Sequence, residues 1–132
     1  MTPDGEVGAR PGGHCILLIE DDADIRESLR LALEAVDYTI EEAENGAEGL
    51  RKLHALPRPC LILLDMMMPV MNGLEFLAAR RDDEAAALVP VVMVTAYRNL
   101  AARAADVAGM VRKPIDLEEL LRAVRQHCGD CE

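Results

Sequence analysis

The chain predicts an α/β fold, a doubly wound parallel sheet with helices on both faces, and three observations carry that expectation. Five short apolar runs alternate with five helix-like segments, the pattern of a parallel sheet wrapped by helices. The best of these runs are apolar throughout, as strands buried on both faces are. They also end on polar groups. Ile16 to Ile19 runs into Glu20, Asp21 and Asp22, Cys60 to Leu64 into Asp65, Val91 to Val94 into Thr95 and Ala96, and a fourth ends at Lys113 and Pro114. In an open parallel sheet the carboxyl ends of the strands border the ligand crevice, so these groups are expected to converge there.

Each element has its own warrant. The first strand covers 16–19, and a helix over 23–36 follows with Ile25, Leu29, Ala32, Leu33 and Val36 on one face at helical spacing. Asp24 with Glu27 forms one capping pair, and Asp22 reads as a second helix-start residue. A strand over 38–43 leads to Asn45, which with Glu48 starts a helix turning Ala47, Leu50 and Leu53 inward. After the third strand, Asn72 and Gly73 open a helix with Leu74, Leu77 and Ala78 inside, fading in the charged stretch 80–84. The fourth strand is 91–94, an alanine-rich helix covers 99–107, and the fifth strand is 109–112. Asp116, with Glu119, caps a last helix that places Leu117, Leu120, Leu121 and Val124 on the core.

Length and composition narrow the function classes. At 132 residues the chain is one domain, and its 51% apolar content is ordinary for a globular protein. Lys plus Arg total 14 against 24 acids, a net charge of −10, which argues against nucleic acid or an anionic membrane as partner. Residues 1–13 hold two prolines and four glycines and no apolar core, so they read as a disordered tail and not as a signal peptide. The most apolar stretch, 85–96, is broken by Pro90 and too short for a bilayer, so a soluble, cytoplasmic protein is expected. Cys15 and Cys60 read as buried free thiols, and Cys128 with Cys131 as a weak C-x-x-C pair at the C terminus.

Acids, a hydroxyl and a lysine at neighbouring strand ends suggest phosphate with a divalent cation. A carboxylate attacks a phosphoryl group only if the crowded anionic oxygens are screened. Magnesium does that with one or two carboxylates and several waters, and Glu20, Asp21 and Asp65 can supply the carboxylates. Lys113 as a point charge and Thr95 as a hydroxyl donor are the strand-end candidates for the remaining phosphoryl oxygens.

In order along the chain, ILLIEDDADIR (16–26), LLDMMMPVMNGLEF (63–76), Val94-Thr95-Ala96 and Lys113-Pro114 resemble the four motif blocks of response regulator receiver domains. The resemblance spans 14–127, with 128–132 as a short C-terminal tail. It implies a (βα)5 flavodoxin-like fold, strand order 2-1-3-4-5. It implies Asp65 as phosphoacceptor, Asp21 as direct magnesium (or manganese) ligand, the Met67 backbone carbonyl as a further ligand, and Glu20 as an acid holding a metal-bound water. Thr95 would bond the phosphoryl group and move on activation, and Lys113 would pair with the phosphate. The implied donor is a sensor histidine kinase or histidine phosphotransfer protein. The expected output is phosphorylation-dependent protein contact, by a stand-alone receiver with no effector domain or by a fragment of a longer protein, and any homodimer is expected to be weak.

Two features depart from the family's pattern. Three residues before the lysine, where the family carries Tyr or Phe, stands Met110, and Thr95 and Lys113 are 18 positions apart, about four fewer than usual, or roughly one helical turn. Met110 has no hydroxyl with which to change partners. Met67 and Tyr97, two residues after Asp65 and Thr95, sit where receivers tune loss of the phosphate, and their bulk implies slow autodephosphorylation. Three alternatives stand beside this reading: a receiver-like adaptor that binds partners without switching, a magnesium-dependent phosphatase with an aspartyl nucleophile, and a flavodoxin-like electron carrier. Met67 stands where the phosphatase needs an acid, and Glu20, Asp21 and Asp22 stand where the electron carrier needs a phosphate loop.

Overall fold

The computed structural model describes residues 15–55, 59–66, 71–83, 87–96 and 107–128. Among the described residues nine elements follow one another: β1 (Cys15–Ile19), α1 (Ala23–Glu34), β2 (Thr39–Ala43), α2 (Gly46–Ala55), β3 (Leu61–Asp65), α3 (Gly73–Arg80), β4 (Val91–Thr95), β5 (Gly109–Arg112) and α4 (Leu117–Cys128). All five strands are parallel, in the order β2-β1-β3-β4-β5. This is the expected flavodoxin-like α/β sheet. The tail over 1–13, the helix expected over 99–107 (all but its last residue), and the Met67 and Tyr97 positions lie outside the described residues.

The central strands β1, β3 and β4 are apolar up to their final residues because alternate residues feed two cores. Leu17, Ile19, Ile62, Leu64, Val91 and Met93 pack with Leu53 of α2 and Phe76 and Leu77 of α3. Ile16, Leu18, Leu61, Leu63, Val92 and Val111 pack with Leu29 and Leu33 of α1 and Leu120 and Val124 of α4. So α2 and α3 cover one face, α1 and α4 the other. The edge strand β2, TIEEA, is only half-buried, and Glu41 and Glu42 line it with charge that discourages pairing with another chain.

Helix starts follow local hydrogen-bonding logic. Asp22, not the Asp24–Glu27 pair, is the N-cap of α1, accepting from the N–H of Asp24 and Ile25; Asp24 lies inside the first turn. Asn45 accepts from Glu48 N–H at 2.8 Å, and the Glu48 carboxylate reaches back to Glu44 N–H. Asn72 and Glu75 exchange two 2.9 Å bonds, a full capping box. Asp116 caps α4 through Glu118 and Glu119 N–H.

Three side chains expected in the core are placed differently. Ala47 and Ala78 are exposed, and Leu117, at the first turn of α4, is 47% exposed. On α2 the inward position belongs to Gly49: a Cβ there would stand 2.5 Å from Ile19 Cδ1 and 3.3 Å from Phe76 Cε1. On α3 the buried residues are Gly73, Phe76, Leu77 and Arg80. Arg80 lies in the expected charged fringe, yet it is 4% exposed because its Nη2 donates to the carbonyls of Ala87 and Val89. Cys15 is a free thiol, but Cys60, expected to be one as well, is disulfide-bonded. Cys60 lies half-buried just before β3, its N–H on the Cys15 carbonyl; at the rim of the sheet a sulfur stays within reach of other segments, which burial inside a strand would prevent.

Candidate functional site

Four strand ends meet at one edge of the sheet. β1 pairs with β3 up to Ile19 and Leu64, so one further residue sets Glu20 beside Asp65. Both continue the alternation of the α1 and α4 face, after Leu18 and Leu63. β3 pairs with β4 through Asp65 and Val94, and β4 with β5 through Thr95 and Arg112. Lys113 N–H then donates to the Thr95 carbonyl at 2.9 Å. Lys113 Nζ donates to Asp65 Oδ1 at 3.2 Å and lies 3.6 Å from Glu20 Oε1. Glu20, Asp65 and Thr95 are buried, at 2%, 3% and 1% exposure, whereas Asp21 faces solvent.

The three acids bring one carboxylate oxygen each to within 4.8 Å of one another. Magnesium bonds oxygen at about 2.1 Å in an octahedron, which sets ligand oxygens about 3 to 4 Å apart. The donor set is hard oxygen throughout, and the spacing fits with small adjustment. The charge balance fits too: three carboxylates face one ammonium. Burial pushes the Glu20 carboxyl up to about 7; the Asp22 N–H and Lys113 pull it down, while the Asp65 charge adds to the rise. Burial opposes the Lys113 charge, but Glu20 and Asp65 outweigh it and raise this amine above its ordinary value.

A carboxyl raised from 4.5 to about 7 makes the folded state bind more protons than the unfolded chain between those values. Its contribution to stability is therefore complete below about pH 4.5 and lost as pH rises through about 7. A cation at the site competes with that proton. Magnesium affinity should accordingly strengthen as pH rises from about 6 to about 8, checked by titration calorimetry at several pH values; a pH-independent affinity would contradict it.

The remaining expected residues divide. Met110, in β5 opposite Met93, is half-buried against the α2 and α3 core. Two residues outside the expected set touch the site. Gly73 donates its N–H to the Met66 carbonyl at 2.9 Å, and a Cβ on it would come within 3.0 Å of the Asp65 carbonyl and Met66 Cα; only glycine lets α3 sit this close to the end of β3. Arg26 donates to the Glu20 carbonyl at 2.8 Å. The sequence signal for Gly73 is its place after the capping Asn72. Arg26 carries none, because an arginine in the first turn of a helix is ordinarily solvated.

The model of the response regulator receiver domain matches residues 16–125. The chain belongs to the response regulator receiver family. The response regulator MprA of Mycobacterium ulcerans is 39% identical over 117 residues, covering 83% of this chain and 48% of that protein; the Mycobacterium leprae protein of that name is 38% identical, with 49% of it covered. The receiver thus spans about half the length of these curated relatives. Among solved structures, the Vibrio cholerae chemotaxis protein CheY4 superposes with TM-score 0.78 at 28% identity, covering 86% of this chain and 97% of that one. The receiver domain of the sensor histidine kinase PA1611 from Pseudomonas aeruginosa gives 0.81 at 25% identity, covering 89% and 99%, and holds a magnesium ion in its active-site cleft. Receivers are signalling phosphoacceptors and not classical enzymes. No helix among the described residues of this one is long and apolar enough to cross a membrane.

Proposed function

We propose that Asp65 of this receiver accepts a phosphoryl group from a phosphohistidine on a sensor histidine kinase or phosphotransfer protein. One observation carries the reading: a buried Asp65 stands at the end of β3 with the Lys113 ammonium 3.2 Å away and the Glu20 and Asp21 carboxylates beside it. In the transfer the bond from phosphorus to the histidine nitrogen breaks, its electron pair leaving with the imidazole, as a bond from phosphorus to an Asp65 carboxylate oxygen forms. Lys113 holds one phosphoryl oxygen as a point charge, and the Thr95 hydroxyl donates to another. Magnesium, when bound, supplies charge that offsets the phosphoryl oxygens. Asp21 and Asp65 would hold it directly, Glu20 through a water, and the Met67 carbonyl would add a ligand.

The phosphorylated domain, residues 14–127 of a cytoplasmic protein, then signals through changed protein contact, with Thr95 and Met110 as the moving parts and Tyr97 and Met67 slowing hydrolysis. The half-burial of Met110, a side chain with no hydroxyl to exchange between partners, favours a second reading, an adaptor with the receiver fold and no switch. Intact-protein mass after incubation with acetyl phosphate, with and without magnesium, separates the two. Wild type should gain one phosphoryl group only with magnesium, Asp65→Asn none, and Tyr97→Ala should lose the group sooner than wild type. No gain in wild type would favour the adaptor.

A further inference from the structure

Arg26, in the first turn of α1, spans two parts of the sheet. Its Nη1 donates to the backbone carbonyl of Glu20 at 2.8 Å and its Nε to Glu42 Oε1 at 3.1 Å. The second oxygen of Glu42 is held by Arg30 Nε at 3.1 Å. Glu42 lies on the edge strand β2, opposite Leu18, so the Arg26 guanidinium is anchored on the sheet and reaches over to the loop after β1. The carbonyl it holds belongs to the peptide that joins Glu20 to Asp21. The other side of Glu20 is pinned as well, its N–H on the Ala43 carbonyl at 3.0 Å. Asp21 itself is exposed, so its aim depends on the backbone that carries it.

We propose that Arg26, anchored by Glu42, is a positioning residue for the cation site: by holding the Glu20 carbonyl it sets the direction in which Asp21 presents its carboxylate toward Glu20 and Asp65. This rests on the reading of those three acids as the magnesium ligands. Charge and position predict opposite signs here. A guanidinium close to the acids repels a divalent cation, so an Arg26 that acted by charge alone would bind magnesium less well than its neutral variant. A positioning Arg26 binds it better, and partners that orient metal ligands commonly change affinity by about 10 to 100-fold.

The test is calorimetric titration of the full chain with magnesium at about pH 8, on wild type, Arg26→Ala, Arg26→Lys, Glu42→Gln and the double variant, with thermal unfolding measured in chelator. Arg26→Ala should weaken magnesium about tenfold with little change in Tm. Arg26→Lys should recover part of that, since an ammonium on a flexible stem serves one acceptor well and two poorly. Glu42→Gln should weaken binding less than Arg26→Ala and add nothing in the Arg26→Ala background, because it acts through the same side chain. Equal or tighter binding by Arg26→Ala, or additive losses in the double variant, overturns the inference while the metal site stands. A wild type that binds no magnesium overturns the site itself and this inference with it. Should Arg26→Ala fail to fold, Glu42→Gln with wild-type affinity overturns the inference by itself.

Discussion

Replacing Lys113 with methionine should slow phosphorylation of Asp65 by acetyl phosphate by about 10² to 10³-fold, the usual loss when one preorganised donor to a developing oxyanion is removed. The reason lies in the resting geometry. The Lys113 ammonium is held 3.2 Å from Asp65 and 3.6 Å from Glu20, both almost fully buried, so it stands where the proposed transfer would bring the phosphoryl oxygens. Methionine keeps the length and removes the charge. Before magnesium binds, two buried carboxylates then share the pocket with no ammonium between them, and like charges so close cannot both stay ionised; Glu20, already raised to about 7 by burial, should rise further. Arginine should restore only part of the rate, because a planar fork does not replace a compact point charge. The check is the initial rate of mass gain at saturating magnesium. A rate within about fivefold of wild type would remove Lys113 from the mechanism.

Phe76→Ala should cost about 3 to 5 kcal/mol of stability, a large share of the 5 to 15 kcal/mol that holds a typical domain together. Phe76 has no exposed surface and is among the largest fully buried side chains. It packs in one cluster with Leu17, Ile19, Ile62 and Leu64 of the two strands that carry the acids, and with Leu53 of α2. A cavity there cannot close cheaply, because Gly49 offers no side chain to move in and its neighbours belong to a rigid sheet. Urea unfolding followed by circular dichroism should show a lower midpoint with an unchanged slope. A loss below about 1 kcal/mol would mean that α3 moves in to fill the space. Such a shift would carry Gly73 toward Asp65 and should then show in the phosphorylation rate.

These two positions mark how far sequence reasoning reaches. Lys113 is legible because it is one of two lysines and stands at a strand end before proline. Phe76 lies inside a recognisable motif, yet helical spacing on a short segment assigned the inner face to Leu74, Leu77 and Ala78, and an eight-residue helix is too short for periodicity to decide the face. The burial of Arg80 is not legible in the sequence for a related reason: a long charged side chain is ordinarily solvated, and only the fold brings the carbonyls of Ala87 and Val89 to it.

By itself the sequence determined the class of fold, the strand order through the family resemblance, and which residue types stand at the strand ends, since apolar runs, caps and terminal acids are local features readable one segment at a time. The tertiary structure decided which groups meet. Parallel register brought Glu20 beside Asp65 and lowered Lys113 onto both. It let glycine replace side chains where α2 and α3 press on the sheet, bonded Cys60 into a disulfide, and laid Arg26 across two strands to the Glu20 carbonyl. Those contacts join separate elements of the fold, and a single sequence carries no periodic signal for them, because their energy arises only once the sheet has set its register.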